Sequence, residues 1–174
     1  MITPMVARLV PDPFDREGWL FELKWDGFRA IAETDGQGAV KLYSRNHNDF
    51  KKRFRPVAQA LGELGRPTIL DGEIVFDLLM LDGKDLRQLP LVKRKESLGR
   101  LLAGHPRLME VEHIDHEGRG MFAGALALGL EGVVAKDAKS PYVEGPRVTW
   151  HWQKIKNKDY KRKGKVEFRQ SRKV

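Results

Sequence analysis

Four short polar clusters in the 174-residue chain put lysines and carboxylates on β-rich runs, where such side chains can converge on a pocket. The first is FELKWDGFR, residues 21–29. Period-two alternation places Trp19, Phe21, Leu23 and Trp25 on one face and Glu22, Lys24 and Asp26 on the other. One face suits a core and the other a pocket. In LDGEIV, residues 70–75, Asp71 and Glu73 share a face. In EGVVAK, residues 131–136, Glu131 and Lys136 bracket a core strand from opposite faces. In WHWQKIK, residues 150–156, Trp150, Trp152, Lys154 and Lys156 share a face. Lysines two apart repel one another unless an anion lies between them, which points to a phosphate. Each cluster alone has a plainer reading: a hairpin turn at Asp26-Gly27, an exposed acid after a turn, an edge strand, or lysine stems lying over aromatic rings.

The elements that must position these residues follow from the same alternation and from recurrent Asp-Gly and Gly punctuation. Strands are expected over 19–25, 28–34, 39–44, 68–75, 76–81, 107–114, 131–136 and 148–156, and helices over 54–64, 91–103 and 117–129. The fold class is α+β, with mostly antiparallel sheets flanked by helices. The run TILDGEIVFDLLMLDG would make a strand of about 14 residues if unbroken, against the usual five or six. A segment is therefore expected to be missing between Val75 and Phe76, either a loop and helix lost in evolution or a stretch omitted from the sequence.

Length and a hydrophobic content of 41% allow one domain with a sizeable core. No stretch approaches the roughly 20 apolar residues of a membrane span, and the start MITPMVARLV is not a secretory signal. The expectation is a soluble, cytoplasmic protein without membrane partners. The chain has no cysteine, which excludes disulfides and thiolate metal sites. A net charge of +8 favours polyanionic partners. After Lys156 the text KNKDYKRKGKVEFRQSRKV turns basic and poor in large apolar residues, as suits a surface or partner-contacting tail over 157–174.

Taken together and in order, KxDGxR, the Arg45-containing SRN, DGE, FDLL, EGVVAK and WxKxK resemble the nucleotidyltransferase (adenylation) domain of the ATP-dependent DNA ligases. The likeness is to small bacterial and archaeal ligases and to the ligase module of bacterial end-joining proteins. It runs from about Pro4 to Lys156 and includes SRNHNDF, FDLLMLDGKDLRQLPL and LGLEGVVAKDAKSPY. The resemblance implies an ATP-grasp-like nucleotidyltransferase fold over 1–156, with ATP and Mg²⁺ as cofactors. It also implies nicked duplex DNA as substrate, a monomeric enzyme, and other DNA repair proteins as further partners. It implies Lys24 as the nucleophile that becomes a lysyl-AMP, with Lys154 and Lys156 lowering its pKa and neutralising phosphate. Glu22 would accept from the adenine amino group and Phe76 would stack on the purine. Arg29 would hold the ribose, Arg45 a phosphate, Glu73 the ribose or a metal, and Glu131 a divalent cation.

Ligases of this kind normally continue into an oligonucleotide-binding (OB) barrel, and this chain ends 18 residues after Lys156. The expectation is a catalytic domain whose OB barrel is absent. Two functions compete: an enzyme that seals nicks through lysyl-AMP and an adenylated 5′-phosphate, and a degenerate nucleotide- or DNA-binding accessory domain. The intact lysines and acids favour the enzyme, and the missing barrel favours the accessory.

Overall fold

Alternation along Trp19–Lys24 does what the sequence implies: Trp19, Phe21 and Leu23 pack into a core while Glu22 and Lys24 turn the other way. The computed structural model of the chain describes residues 2–25, 27–72, 76–108 and 110–161, with Phe76 described by its backbone alone. Among the described residues, ten strands form two five-stranded sheets. In chain order they are β1 (Val6–Val10), β2 (Trp19–Lys24), β3 (Ala30–Asp35), β4 (Val40–Ser44), β5 (Pro67–Gly72), β6 (Phe76–Leu81), β7 (Lys84–Asp85), β8 (Ile114–Asp115), β9 (Gly132–Asp137) and β10 (Val148–Lys156). Sheet one has the order β1-β10-β9-β2-β8 and sheet two β4-β3-β5-β6-β7. All pairings are antiparallel except β1 with β10.

Three helices cover these sheets: α1 (Arg55–Gly62), α2 (Leu91–Leu102) and α3 (Gly118–Ala127). Proline in the first turn of α1 sits where a missing N–H costs nothing. α3 closes the outer face of sheet one over Phe21, Val133, Ala135 and Ile155. α1 and α2 close sheet two over Leu42, Leu70 and Leu78. Each such fully buried side chain contributes about 1.5–3 kcal/mol. Met5, Leu79, Tyr142 and Trp152 pack between the sheets, and Leu91 of α2 meets Leu20 and Ala138 of sheet one. α2 is therefore a strut bearing on both sheets.

The long apolar run resolves as a reversal. β5 and β6 pair antiparallel, with Gly72 opposite Phe76, Asp71 opposite Asp77 and Leu70 opposite Leu78. The described strands end at Gly72 and resume at Phe76, and residues 73–75, where a missing segment was expected, lie outside the described residues. Two expectations fail. The strand expected over 107–114 shrinks to Ile114–Asp115 against Leu20 and Phe21. β1 was not anticipated, because VARLV lies at a sheet edge with Leu9 59% exposed and shows no clean alternation. Among the described residues no helix is long and apolar enough to cross a membrane.

Candidate active site

Pairing register brings the sequence clusters together. Across β2, β9 and β10 one face of the sheet carries three rows, Lys24–Gly132–Lys156, Glu22–Val134–Lys154 and Leu20–Lys136–Trp152, of which all but Gly132 and Leu20 line the cavity. The opposite face carries Phe21, Leu23, Val133, Ala135 and Ile155 into the α3 core. The inward rows floor a cavity of about 490 Å³, a size that suits a nucleotide. Sheet two closes its other side with Arg29 ahead of β3, Ser44 and Arg45 at the end of β4, and Asp71 and Gly72 at the end of β5.

Glu131 ties the first of these rows. Lys24 Nζ donates to Glu131 Oε2 at 2.7 Å, and Lys156 Nζ lies 3.1 Å from Oε1. The anion beside Lys156 is thus a carboxylate of the protein. Gly132 lets the two lysines flank Glu131 so closely. Its φ is +141°, and a Cβ there would stand 2.0 Å from the Ile155 carbonyl oxygen. The opposite-face relation expected for Glu131 and Lys136 does not hold, because Glu131 precedes β9, where strand alternation no longer applies. Lys136 lines the cavity, and Glu131 engages two of its lysines.

Lys154 has no carboxylate partner among the described residues. Partial burial, followed by the charges of Lys156, Lys24 and Arg45, pushes its ammonium pKa down against a smaller opposing effect of Glu131. Glu22 is 3% exposed and held from two sides, with Oε1 3.0 Å from Lys95 Nζ and Oε2 2.5 Å from Lys136 Nζ. Burial raises the pKa of this carboxyl, but the two lysines outweigh it and hold it below the usual value. Arg29 forks onto Asp71, with Nε at 2.9 Å from Oδ1 and Nη2 at 2.5 Å from Oδ2; Asp71 also accepts from the Tyr142 hydroxyl.

Most residues singled out from sequence therefore gather at one cavity: Glu22, Lys24, Arg29, Arg45, Lys154 and Lys156 line it, and Glu131 joins two of them. Phe76 begins β6 opposite Gly72, a cavity residue, but its ring lies outside the described residues, as do Asp26, Glu73 and the tail from Arg162. Trp25 departs from its expected core position. It lies past the end of β2, 45% exposed, and lines the cavity. No group of three or more metal-ligating side chains occurs among the described residues, so of the expected cation ligands only Glu131 has a described position.

Sequence reasoning missed the buried charges of α2. Arg94 forks onto Asp77 of β6, with both contacts at 2.9 Å, and Lys95 reaches Glu22 of β2. A signal was present: Leu91, Lys95, Leu98 and Leu102 follow helical spacing, so Lys95 falls on the apolar stripe with Arg94 beside it.

Two mostly antiparallel sheets clasping a cation-rich cavity, with Lys24 at the end of β2 in one of them, fit the nucleotidyltransferase class. Residues 4–76 and 74–156 match the family model described as ATP dependent DNA ligase domain. The chain belongs to that family. The two matched segments meet at 74–76, where the apolar run is broken. The chain is similar to the SPbeta prophage-derived DNA ligase-like protein LigB of Bacillus subtilis, 30% identical over 190 residues that cover 91% of this chain and 68% of that protein. It is also similar to the multifunctional non-homologous end joining protein LigD of Pseudomonas aeruginosa, 32% identical over 173 residues. That match covers 81% of this chain and 20% of LigD, so the chain spans only a part of the longer relatives. Among solved structures, mycobacterial DNA ligase D complexed with ATP and MES has a TM-score of 0.78 at 30% identity, covering 89% of this chain and 60% of that one.

Proposed function

We propose that the cavity binds ATP and transfers AMP to Lys24, and that the lysyl-AMP serves the joining of nicked duplex DNA. The observation that carries this is the row Lys24–Gly132–Lys156, with Glu131 bonded to both lysines and Lys154 beside them. The Lys24 amine attacks the α-phosphorus. A phosphorus–nitrogen bond forms, the bond from the α-phosphorus to the bridging oxygen of pyrophosphate breaks, and the amine loses a proton. Glu131, 2.7 Å from Lys24 Nζ, aims the amine and is placed to accept that proton. Lys154, Lys156 and Arg45 stabilise the phosphate charge that builds up, and such fixed charge supplies most of the acceleration in transfers of this kind. A DNA 5′-phosphate then displaces Lys24 from AMP, and a 3′-hydroxyl displaces AMP from the DNA.

Mg²⁺ keeps most of its water and uses one or two carboxylates together with substrate phosphates, a pattern that Glu131 and a bound triphosphate fit. The ion would neutralise the triphosphate there. On the base side, Glu22 is the acceptor available to an adenine amino group, and Arg29 and Asp71 stand across the cavity on sheet two.

Intact-mass measurement after incubation with ATP and Mg²⁺ tests the reading. One AMP should be gained, peptide mapping should place it on Lys24, and pyrophosphate should remove it. The adenylated chain should then join a nick in duplex DNA. Tight ATP binding without any covalent AMP would replace the enzyme with an accessory nucleotide-binding domain.

A further inference from the structure

Lys95 and Lys136 are cations at Glu22 to which the proposed chemistry gives no task, and Lys95 is the one carried by a helix. It lies on the buried stripe of α2, and its ammonium reaches past the helix to Glu22 Oε1 at 3.0 Å, the Val111 carbonyl at 3.2 Å and Glu110 Oε1 at 3.4 Å. A lysine buried on an apolar stripe needs a reason, since burial disfavours its charge. That reason is Glu22, whose charge and hydrogen bond raise the Lys95 pKa despite burial. Glu22 in turn faces Lys136 from β9 and Lys95 from α2, with Glu110 behind Lys95. Lys154 lies in its row two strands away, and Lys24 two residues along its own strand.

We propose that Lys95 is a positioning residue for base selection: it holds Glu22 as a carboxylate, so that the group facing the base can accept a hydrogen bond but cannot donate one. This rests on the reading that Glu22 meets the adenine amino group. A carboxylate offers about four acceptor sites, so two lysines leave room for one more donor. Adenine presents an amino donor where guanine presents a carbonyl. An ionised Glu22 facing that carbonyl leaves two acceptors opposed and disfavours GTP by about 5- to 150-fold. A protonated Glu22 donates to the same carbonyl, and the discrimination falls.

The sign of the pH effect follows. Without Lys95, burial acts on Glu22 against Lys136 alone, and the carboxyl takes up a proton at higher pH than before. The readout is the ratio of lysyl-AMP to lysyl-GMP formation rates, measured between about pH 9 and pH 6, the range around and above ordinary histidine titration. The attacking amine and the triphosphate are the same for both nucleotides, so effects common to the two cancel in the ratio. The wild type and Lys95→Arg should hold a constant ratio. In Lys95→Met the ratio should fall about fivefold or more as pH drops and recover at high pH, in keeping with one misplaced hydrogen bond. Lys95→Gln, which is neutral yet can still donate to Glu22, should behave as Lys95→Met and covers the case in which the methionine variant does not fold. A flat ratio in both neutral variants overturns the proposal and leaves Lys95 a packing role. A wild-type ratio in Glu22→Gln instead overturns the underlying reading of Glu22, and the two failures are told apart by which variant stays flat.

Discussion

Two clusters of charge in the molecule are built on opposite terms. In the clamp around α2, Arg94 and Asp77 have side chains 0% and 1% exposed, and the guanidinium also donates to the carbonyls of Leu89 at 2.5 Å and Ser140 at 3.1 Å. Donors and acceptors match. In the cavity, Glu131 pairs with both Lys24 and Lys156, Lys154 has no carboxylate partner among the described residues, and the space between the sheets is open. The same residue types therefore serve two ends. Dry and balanced, they fix where the sheets stand; open and unbalanced, they line a cavity with an excess of positive charge.

The comparison breaks first at Lys24. Lys24→Ala and Lys24→Arg should each reduce covalent AMP to background, since alanine has no nucleophile and arginine stays protonated. Both variants should melt as cooperatively as the wild type, because the changed side chain borders an open cavity. Label appearing on another lysine would show that the unbalanced cluster has been assigned the wrong nucleophile.

The balanced cluster should respond in stability. Arg94→Met leaves Asp77 buried opposite Asp71 without its partner, and breaking such a pair costs about 3–5 kcal/mol. Burial already raises the Asp77 carboxyl above its usual value against the hydrogen bond and charge of Arg94, so the variant should protonate it. Asp77→Leu in the same chain should recover most of the loss in urea unfolding. A single variant as stable as the wild type would mean that α2 holds the sheets by its leucines alone.

Gly132 sits where the two regimes meet, at the end of β9 between Lys24 and Lys156. Gly132→Ala forces a side chain onto the Ile155 carbonyl at a φ that L residues avoid, at about 1–3 kcal/mol. Because the strain falls between β9 and β10, it should displace Lys156 and slow adenylation beyond what the stability loss explains. A variant that is destabilised yet adenylates at the wild-type rate when folded would separate the glycine from the chemistry.

Strand alternation and Gly punctuation were enough to read β2 through β6, β9 and β10, all three helices, and the pocket face of FELKWD, because each is half buried and its two faces differ. They could not show β1, an edge strand, or the reach of Glu131, which lies off the end of its strand. Motif residues were legible because their types and order along the chain follow the pattern of the ligase family. Lys95 and Arg94 were not, because their partners Glu22 and Asp77 stand 73 and 17 residues away and only the packing of α2 brings them near. Trp25 was misplaced for the reason that applies to Glu131: the period of two ends with the strand.

The smallest expected effect concerns Lys154 and the direction of a stability change. Its ammonium is disfavoured in the fold by burial and by Lys156, Lys24 and Arg45, so its folded pKa lies below the unfolded one. For a base the sign is then unfavourable: below the folded pKa both states carry the proton and the full penalty is present, and the penalty is relieved as pH rises through that pKa. Lys154→Met, which keeps the stem and removes the charge, should therefore make the ligand-free protein slightly more stable at neutral pH, by at most about 1 kcal/mol because the group is largely solvated. Pyrophosphate or ATP should invert the order, since a polyanion that binds only the folded state stabilises in proportion to its affinity, and the variant has lost a contact to it. Thermal melts of both proteins with and without pyrophosphate measure this directly. If Lys154→Met melts below the wild type with no polyanion present, the cavity's cations are already compensated, and the contrast between its open charges and the closed clamp of α2 fails.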